Sequence, residues 1–450
     1  MKFFSNYLKK SPIWVSEDLR DGNQALIDGL DIKKKIKIWN ILIELGFKQI
    51  VLGFPSSNKH DYNFIKYLIK NKLIPDYITI SILTPAKKNL IDLSIESVKG
   101  IKNVIIHLYN SISKFQRKIV FKMNKINNFI FSINNINYLI NKIKKKKIIL
   151  QYSPESFSDS NIFFSKKISF FFSYLCFKNK IKSILNLPIT VENILPIKFL
   201  KKIIFIKKNI INSIISVHTH NDMSNSNANS ILSIIFASDR IEGTLLGNGE
   251  RAGNSSLFIL ANNFYKLGIN PKINIFNKKL INKYINIINI KINKRYPWFD
   301  NLNYVAFSGS HQDAIFKSFF IKKKFNWDIL YIVLNPKNYN FNYKNMIKIN
   351  SQSGRGGIKY IFWYNYKLLL NNIIINKLYN IIQDISENIQ TEIYKEMIFS
   401  LLYNFSINIF IKNKKIINFF FLKLFNFTIF IFVLKTIKKK IIKIILKNNE

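Results

Sequence analysis

One cysteine, 14 glycines, 10 prolines and six arginines in 450 residues define this chain first by what it has little of. The lone Cys176 excludes an intramolecular disulfide framework and fits a reducing, cytoplasmic setting. Acidic residues are also scarce, 25 against 69 basic ones, so the formal net charge is +44. Such a charge ordinarily points to nucleic acid. The scarcity of arginine argues against that reading. Only residues 20, 117, 240, 251, 295 and 355 are Arg, and the lysines are spread over nearly every segment. Nucleic-acid binders use Arg forks for bidentate contacts and gather their charge on one face. Lys, Asn, Ile, Phe and Tyr share AT-rich codons, so base bias accounts for the excess more simply, and no nucleic-acid partner is expected. The N-terminus lacks an apolar h-region and a cleavage site, so no signal peptide is expected. The nearly all-apolar run 416–434 contains Asn418, Lys423 and Asn426, which are costly at mid-bilayer, and no membrane span is expected.

What is present is a repeating pattern. Hydrophobic residues make up 48% of the chain, a globular proportion. Over the first 250 residues, short apolar runs alternate with longer Lys-rich amphipathic stretches. Eight runs read as strands: 13–17, 49–53, 77–83, 103–108, 147–152, 183–187, 214–218 and 240–246. Stretches such as 32–45, 61–70 and 194–208 read as the helices between them. Eight βα units in about 250 residues is the count of a (β/α)₈ TIM barrel. A doubly wound open sheet normally has a Gly-rich loop after its first strand, and none is present. Barrel active sites sit at the C-terminal ends of strands, so polar clusters should follow the apolar runs. They do, at Asp18 to Gln24, His107 to Asn110, Ser153 to Glu155, Asn186 to Glu192, His218 to Asp222 and Gly247 to Asn254. The expected layout is a catalytic barrel over 1–270, a linker and first small subdomain over 271–365, a helical second subdomain over 366–405, with 368–403 helical, and a short basic, apolar tail over 406–450.

The five histidines include two, His218 and His220, set one residue apart at the end of an apolar run. On a strand, i and i+2 face the same way, so both imidazoles point into one space. If the strand ends converge, Asp21, His218, His220 and Asn254 can surround a single divalent cation. Two nitrogens and two oxygens suit Mg²⁺ first, with Mn²⁺ and Zn²⁺ as alternatives. Taken singly, the histidines can be satisfied polar groups, Asp21 a turn residue and Asn254 a helix cap. Their joint placement after runs one, seven and eight favours a site. Arg20 sets a permanent cation beside Asp21, able to stabilise a developing enolate or alkoxide. Glu155 is placed to act as an acid/base partner. The glycines of 247–253 and 354–357 permit close backbone approach to a ligand. Neither matches a P-loop or a dinucleotide fingerprint.

These motifs carry a specific resemblance. Leu-Arg-Asp-Gly-Asn-Gln at 19–24, with Lys35 eleven residues after Gln24, resembles the first signature of the barrel synthases that condense acetyl-CoA with 2-oxo acids. His-Thr-His-Asn-Asp at 218–222 resembles their second. With 151–156, 186–192, 247–254, 309–314 and 350–357 added, the chain over roughly residues 12–400 is similar to the 2-isopropylmalate synthases of leucine biosynthesis, in the class containing the fungal and actinobacterial enzymes. The resemblance implies a metal on Asp21, His218, His220 and Asn254, with acetyl-CoA and 3-methyl-2-oxobutanoate as substrates. It also implies that Arg20 stabilises charge on the keto oxygen. Glu155 and His311 share the acid/base work in an order left open, with Tyr343 nearby. It implies a homodimer in which His311 enters the partner's site. Leu83, His107, Ser153, Asn186, Pro188 and Thr190 match positions lining the oxo-acid pocket. Gly249, Glu250, Ser353, Gly354, Arg355 and Gly356 fall on the CoA side. Homocitrate or citramalate synthase, with the same chemistry, is the alternative; a basic nucleic-acid-associated protein is the remote one.

Two departures from the family pattern stand out. Ser224 occupies a position where the second signature has Gly, which is expected to spare the ligands and alter the turn. Family members of this class usually end in a leucine-binding regulatory domain of more than about 100 residues. Here the tail from about Ser406 stands in that place, and loss of leucine feedback is expected. Retained inhibition by leucine in a steady-state assay would sink that expectation.

Overall fold

The eight apolar runs become eight parallel strands that close on themselves. In the computed structural model, which describes residues 10–412 apart from 25, 27–28, 145, 294–295, 300, 321–328, 333–334 and 390–391, the strands are β1 (Ile13–Ser16), β2 (Gln49–Gly53), β3 (Thr79–Pro85), β4 (Val104–Ser111), β5 (Ile148–Glu155), β6 (Ser183–Ile189), β7 (Ile214–Thr219) and β8 (Arg240–Gly243). Each pairs with the next, and β1 pairs with β8 through Ile13–Arg240 to Ser16–Gly243, so the sheet is a closed barrel. Both faces are covered, which is why the strands read as near-continuous apolar runs rather than alternating ones. All seven residues of β6 are buried.

The abundant asparagines have a local use. Asn58, Asn124, Asn161 and Asn277 each accept a backbone N–H at the start of the helices Lys59–Lys70, Lys125–Ile143, Ile162–Lys178 and Lys278–Ile288. A cap of this kind contributes about 1 kcal/mol. Asp31 does the same for Ile32–Glu44, accepting from Lys34 N at 2.7 Å. The helices turn their apolar stripes inward. Ile38, Trp39 and Leu42 of Ile32–Glu44 are fully buried, as are Ile136, Leu139 and Ile143 of Lys125–Ile143.

The chain forms two compact units, divided between Asn303 and Tyr304. Residues 271–303, expected with the linker, cluster with the barrel. The helix Lys278–Ile288 explains this, because the Tyr284 hydroxyl donates to buried Asp18 behind β1. The second unit holds the helices Gly309–Ser318, Arg355–Tyr366, Asn372–Ile389 and Lys395–Lys412, with short 3₁₀ turns at Pro336–Tyr339 and Tyr343–Asn345 between the first two. The helical region expected over 368–403 holds two helices, Asn372–Ile389 and Lys395–Lys412, and between them Ile393 bridges to Ile349. That backbone pairing cannot form inside a helix. The tail reading for 413–450 lies outside the described residues, as does the apolar run 416–434. No helix among the described residues is long and apolar enough to cross a membrane.

Candidate active site

The C-terminal ends of β1, β7 and β8 carry the cluster. After β1 the chain turns sharply: Arg20 N and Gly22 N both donate to Glu17 O, at 3.1 and 3.0 Å. Asp18 accepts Leu245 N at 2.9 Å, pinning this turn to the chain beyond β8. Arg20 and Asp21 are thereby held at the barrel mouth. His218 lies within β7 and His220 one residue past its end, with ring centroids 5.3 Å apart. Asn254 is delivered by the loop after β8, which pairs back against His220. A Cβ on Gly249 would collide with Asn254 Nδ2, so only glycine lets that side chain turn inward.

The four expected ligands converge. His218 Nε2 lies 3.0 Å from Asp21 Oδ2 and 3.1 Å from Asn254 Oδ1, and His220 Nε2 lies 3.7 Å from Asp21 Oδ2. All four residues are buried. Buried His220 Nδ1 finds no hydrogen-bond partner among the described residues. Two imidazoles, a carboxylate and an amide oxygen crowded around one point form a cation-binding donor set, and the residues fit a divalent metal. Burial pushes Asp21 up, but Arg20, His218 and His220 outweigh it and hold the carboxyl far below the usual range. Burial lowers His218, yet its hydrogen bonds to Asp21 and Glu242 outweigh that and raise it to about 10. His220 is driven down to about 4 by burial and by the neighbouring His218. The cluster therefore retains one positive charge on His218, where a bound cation would displace the proton.

Glu242, which no sequence motif singles out, orients His218. Glu242 Oε2 lies 3.2 Å from His218 Nδ1, fixing the ring so that Nε2 points at the cluster. Glu242 in turn accepts from Gln151 Nε2 at 2.6 Å and Ser216 Oγ at 3.2 Å, and pairs with Arg240. The available signal was a glutamate inside an apolar strand, paired in register with His218. Asn248 was also missed. Its carbonyl accepts from Asn254 Nδ2 at 3.2 Å, and its side-chain amide donates to Gly22 O at 3.2 Å, tying two ligand-bearing loops together.

The expected oxo-acid residues fall on adjacent strands beside this cluster. His107 Nε2 lies 2.6 Å from Ser153 Oγ, and Asn186 Nδ2 donates to the same oxygen at 2.9 Å. Leu83 pairs in register with His107, and Pro188 with His218. Burial drives His107 down to about 3, so it is a neutral ring. Gln151 touches both His107 and Glu242, linking the His107–Ser153–Asn186 row to the His218 cluster. Thr190 is spent on backbone: its hydroxyl accepts from Ser156 N at 2.9 Å, and its carbonyl accepts from Arg251. Glu155 ends β5, and burial raises its carboxyl. Ser224 keeps the turn after β7 by adopting the left-handed conformation that glycine favours, with φ 61°. The exposed Glu250 side chain lies 3.6 Å from Arg251.

In the second unit, His311 stacks on Tyr331 with ring centroids 3.9 Å apart. The Tyr343 hydroxyl donates to Asn335 Oδ1 at 3.0 Å. Ser353 is buried and tied to Gln312, Asn350 and Phe307. Gly354 and Gly356 allow the helices Gly309–Ser318 and Arg355–Tyr366 to touch: a Cβ on Gly356 would collide with the Asp313 backbone. Arg355 lies over Tyr379, 5.2 Å from its ring centroid.

Comparison with known proteins agrees with this geometry. The HMGL-like family matches residues 11–283, and the family described as alpha-isopropylmalate synthase, post-catalytic domain-like, matches 301–363. A 2-isopropylmalate synthase of Clostridium acetobutylicum is 36% identical over 405 residues, which cover 87% of this chain and 73% of that one. Those of Acetoanaerobium sticklandii and Helicobacter hepaticus are 37% and 36% identical, covering 89% and 90% of this chain and 72% and 74% of theirs. Among solved structures, the HMG-CoA lyase of Bacillus subtilis superimposes with a TM-score of 0.53 at 17% identity, covering 64% of this chain and 97% of that one, a likeness of fold alone. A closed eight-stranded barrel, both signature motifs folded onto one cluster, and relatives matched over most of their length place the chain in the 2-isopropylmalate synthase family.

Proposed function

We propose that the chain condenses acetyl-CoA with 3-methyl-2-oxobutanoate and hydrolyses the thioester, giving 2-isopropylmalate and CoA, with Asp21, His218, His220 and Asn254 holding the metal. The observation that carries this reading is the convergence of those four buried side chains at the mouth of the barrel. A divalent cation there, Mg²⁺ first on the donor set, supplies Lewis-acid polarisation of the oxo acid and a template for it. His218 and His220 present neutral nitrogens to it, and Glu242 keeps His218 in the required tautomer.

The remaining work belongs to the chain's own residues. His107, Ser153 and Asn186 form a hydrogen-bonded row that orients the oxo acid against Leu83 and Pro188. Arg20 offers a permanent cation to the keto oxygen as it takes up charge. Glu155 and His311 handle the protons: one leaves the acetyl methyl group, the resulting enolate carbon attacks the keto carbon, and the new alkoxide is protonated. Water then cleaves the thioester, releasing CoA and making the sequence irreversible. Burial raises the Glu155 carboxyl above the usual carboxylate range, a direction that suits an acid/base group. His311 and Tyr343 act across a homodimer in the cytoplasm, His311 entering the partner's site.

The test is CoA release, followed with a thiol reagent, from purified protein, acetyl-CoA and Mg²⁺ or Mn²⁺. Turnover should prefer 3-methyl-2-oxobutanoate over 2-oxoglutarate and pyruvate and vanish in His218→Ala. Preference for another oxo acid would move the substrate and keep the mechanism.

A further inference from the structure

The proposed reaction gives Glu17 no task, yet its side chain is fully buried at the end of β1. A buried carboxylate is costly unless it is paired. Its pairing is one-sided. Oε2 takes both Nε and Nη2 of Arg20, each at 2.9 Å. Oε1 finds no hydrogen-bond partner among the described residues and lies 3.9 Å from His218 Nδ1. On its other edge, Arg20 Nη1 lies 3.7 Å from Asp21 Oδ2. The backbone makes this arrangement local, because Arg20 N donates to Glu17 O at 3.1 Å and closes the turn that carries both side chains. A guanidinium ends a long, freely rotating stem. Fixing it before substrate arrives removes an ordering cost from the transition state. With Nε and one Nη2 proton committed to Glu17, the Nη1 protons and the second Nη2 proton stay free for an oxyanion.

We infer that Glu17 is a positioning residue for Arg20, holding the guanidinium fork in the orientation that meets the charge developing on the keto oxygen. This rests on the reading of Arg20 given above. Glu17 itself touches neither substrate in this scheme. Removing it should slow the chemical step and leave binding alone.

The test compares Glu17→Gln, Glu17→Leu, Arg20→Met and the double variant Glu17→Leu/Arg20→Met, using steady-state kinetics, Mn²⁺ affinity by calorimetry and the thermal midpoint. Glu17→Gln keeps an acceptor for Arg20 and should lower kcat about 10-fold, and Glu17→Leu about 100-fold. KM for acetyl-CoA, the Mn²⁺ affinity and the midpoint of Glu17→Gln should stay at the values of the unaltered protein. In the Arg20→Met background, Glu17→Leu should cost nothing more, since a residue that acts only through Arg20 has nothing left to position. Unchanged kcat in both Glu17 variants, or a further loss in the double variant, overturns the assignment while leaving Arg20's role standing. A fall in Mn²⁺ affinity that tracks the loss of rate also overturns it and makes Glu17 a partner of His218. If Glu17→Leu does not fold, Glu17→Gln with the double variant Glu17→Gln/Arg20→Met decides the question alone. Full turnover by Arg20→Met would remove the reading of Arg20, and this inference with it.

Discussion

The polar motifs of the barrel and those of the second unit look alike as sequence and are used in opposite ways. At the barrel mouth, motif side chains leave polar atoms without partners among the described residues, His220 Nδ1 and Asn186 Oδ1, as does Glu17 Oε1 at the end of the first strand. In the second unit, Gln312 spends its amide on Ala306 O, Lys348 O and Ser353 Oγ, while Ser353 is bonded to Phe307 O and Lys348 O. Burying a polar atom without a partner costs roughly 1–3 kcal/mol, and His220 and Asn186 carry that cost where Gln312 and Ser353 do not. The partners these motif side chains take differ between the two units, which motif spelling alone does not report.

Substitutions can break or sharpen that contrast. The largest effect is expected at His218→Ala, which removes a ligand and should reduce CoA release by about 10³-fold or more. Exhaustive chelation of the unaltered protein should do the same, with activity returning on adding Mg²⁺ or Mn²⁺; turnover that survives chelation would dismiss the metal centre. Glu242→Gln removes the charge that holds the His218 ring while sparing the four proposed ligands, and Mn²⁺ affinity measured by calorimetry should fall roughly 10- to 100-fold. In the second unit, Gly356→Ala forces a Cβ into the Asp313 backbone and should destabilise by about 1–3 kcal/mol in urea unfolding, with KM for acetyl-CoA unchanged. A raised KM at unchanged stability would return Gly356 to the CoA side. The smallest effect belongs to Ser224→Gly. Relieving the left-handed serine gains about 1–2 kcal/mol, the added freedom of the unfolded chain removes about 0.5–1, and a net rise of up to about 1.5 kcal/mol in unfolding free energy is expected.

Much of the barrel is legible in the chain. Apolar runs bounded by polar clusters locate all eight strands, and β2 runs from Gln49 to Gly53 as expected. The errors have a common cause. β4 and β5 extend to Ser111 and Glu155, beyond the expected ends at 108 and 152, because site residues go on pairing with the neighbouring strand after the apolar pattern stops. β8 ends at Gly243 rather than 246, since Thr244 leaves the ladder to bridge Ser256. The helical region expected over 368–403 is interrupted at Ile393, which pairs with a distant backbone. Hydrophobic period reports burial, and it does not report which backbone a segment meets.

By itself the sequence determined the βα repeat, the strand ends on which chemistry is placed, and the donor types at Asp21, His218, His220 and Asn254. Those follow from local rules: side chains alternate along a strand, and an isolated polar cluster after an apolar run has nowhere to go but the rim. Only the tertiary structure decided that Glu242 orients His218, that Gln151 bridges His107 and Glu242, that Asn248 ties Gly22 to Asn254, and that Glu17 grips Arg20. Most of these contacts join residues far apart in the chain, and barrel closure brings β1 against β8 and packs the strand-end loops together. Even the nearby pair Glu17 and Arg20 is set by burial on the closed barrel, which leaves the carboxylate no solvent and makes the guanidinium its partner.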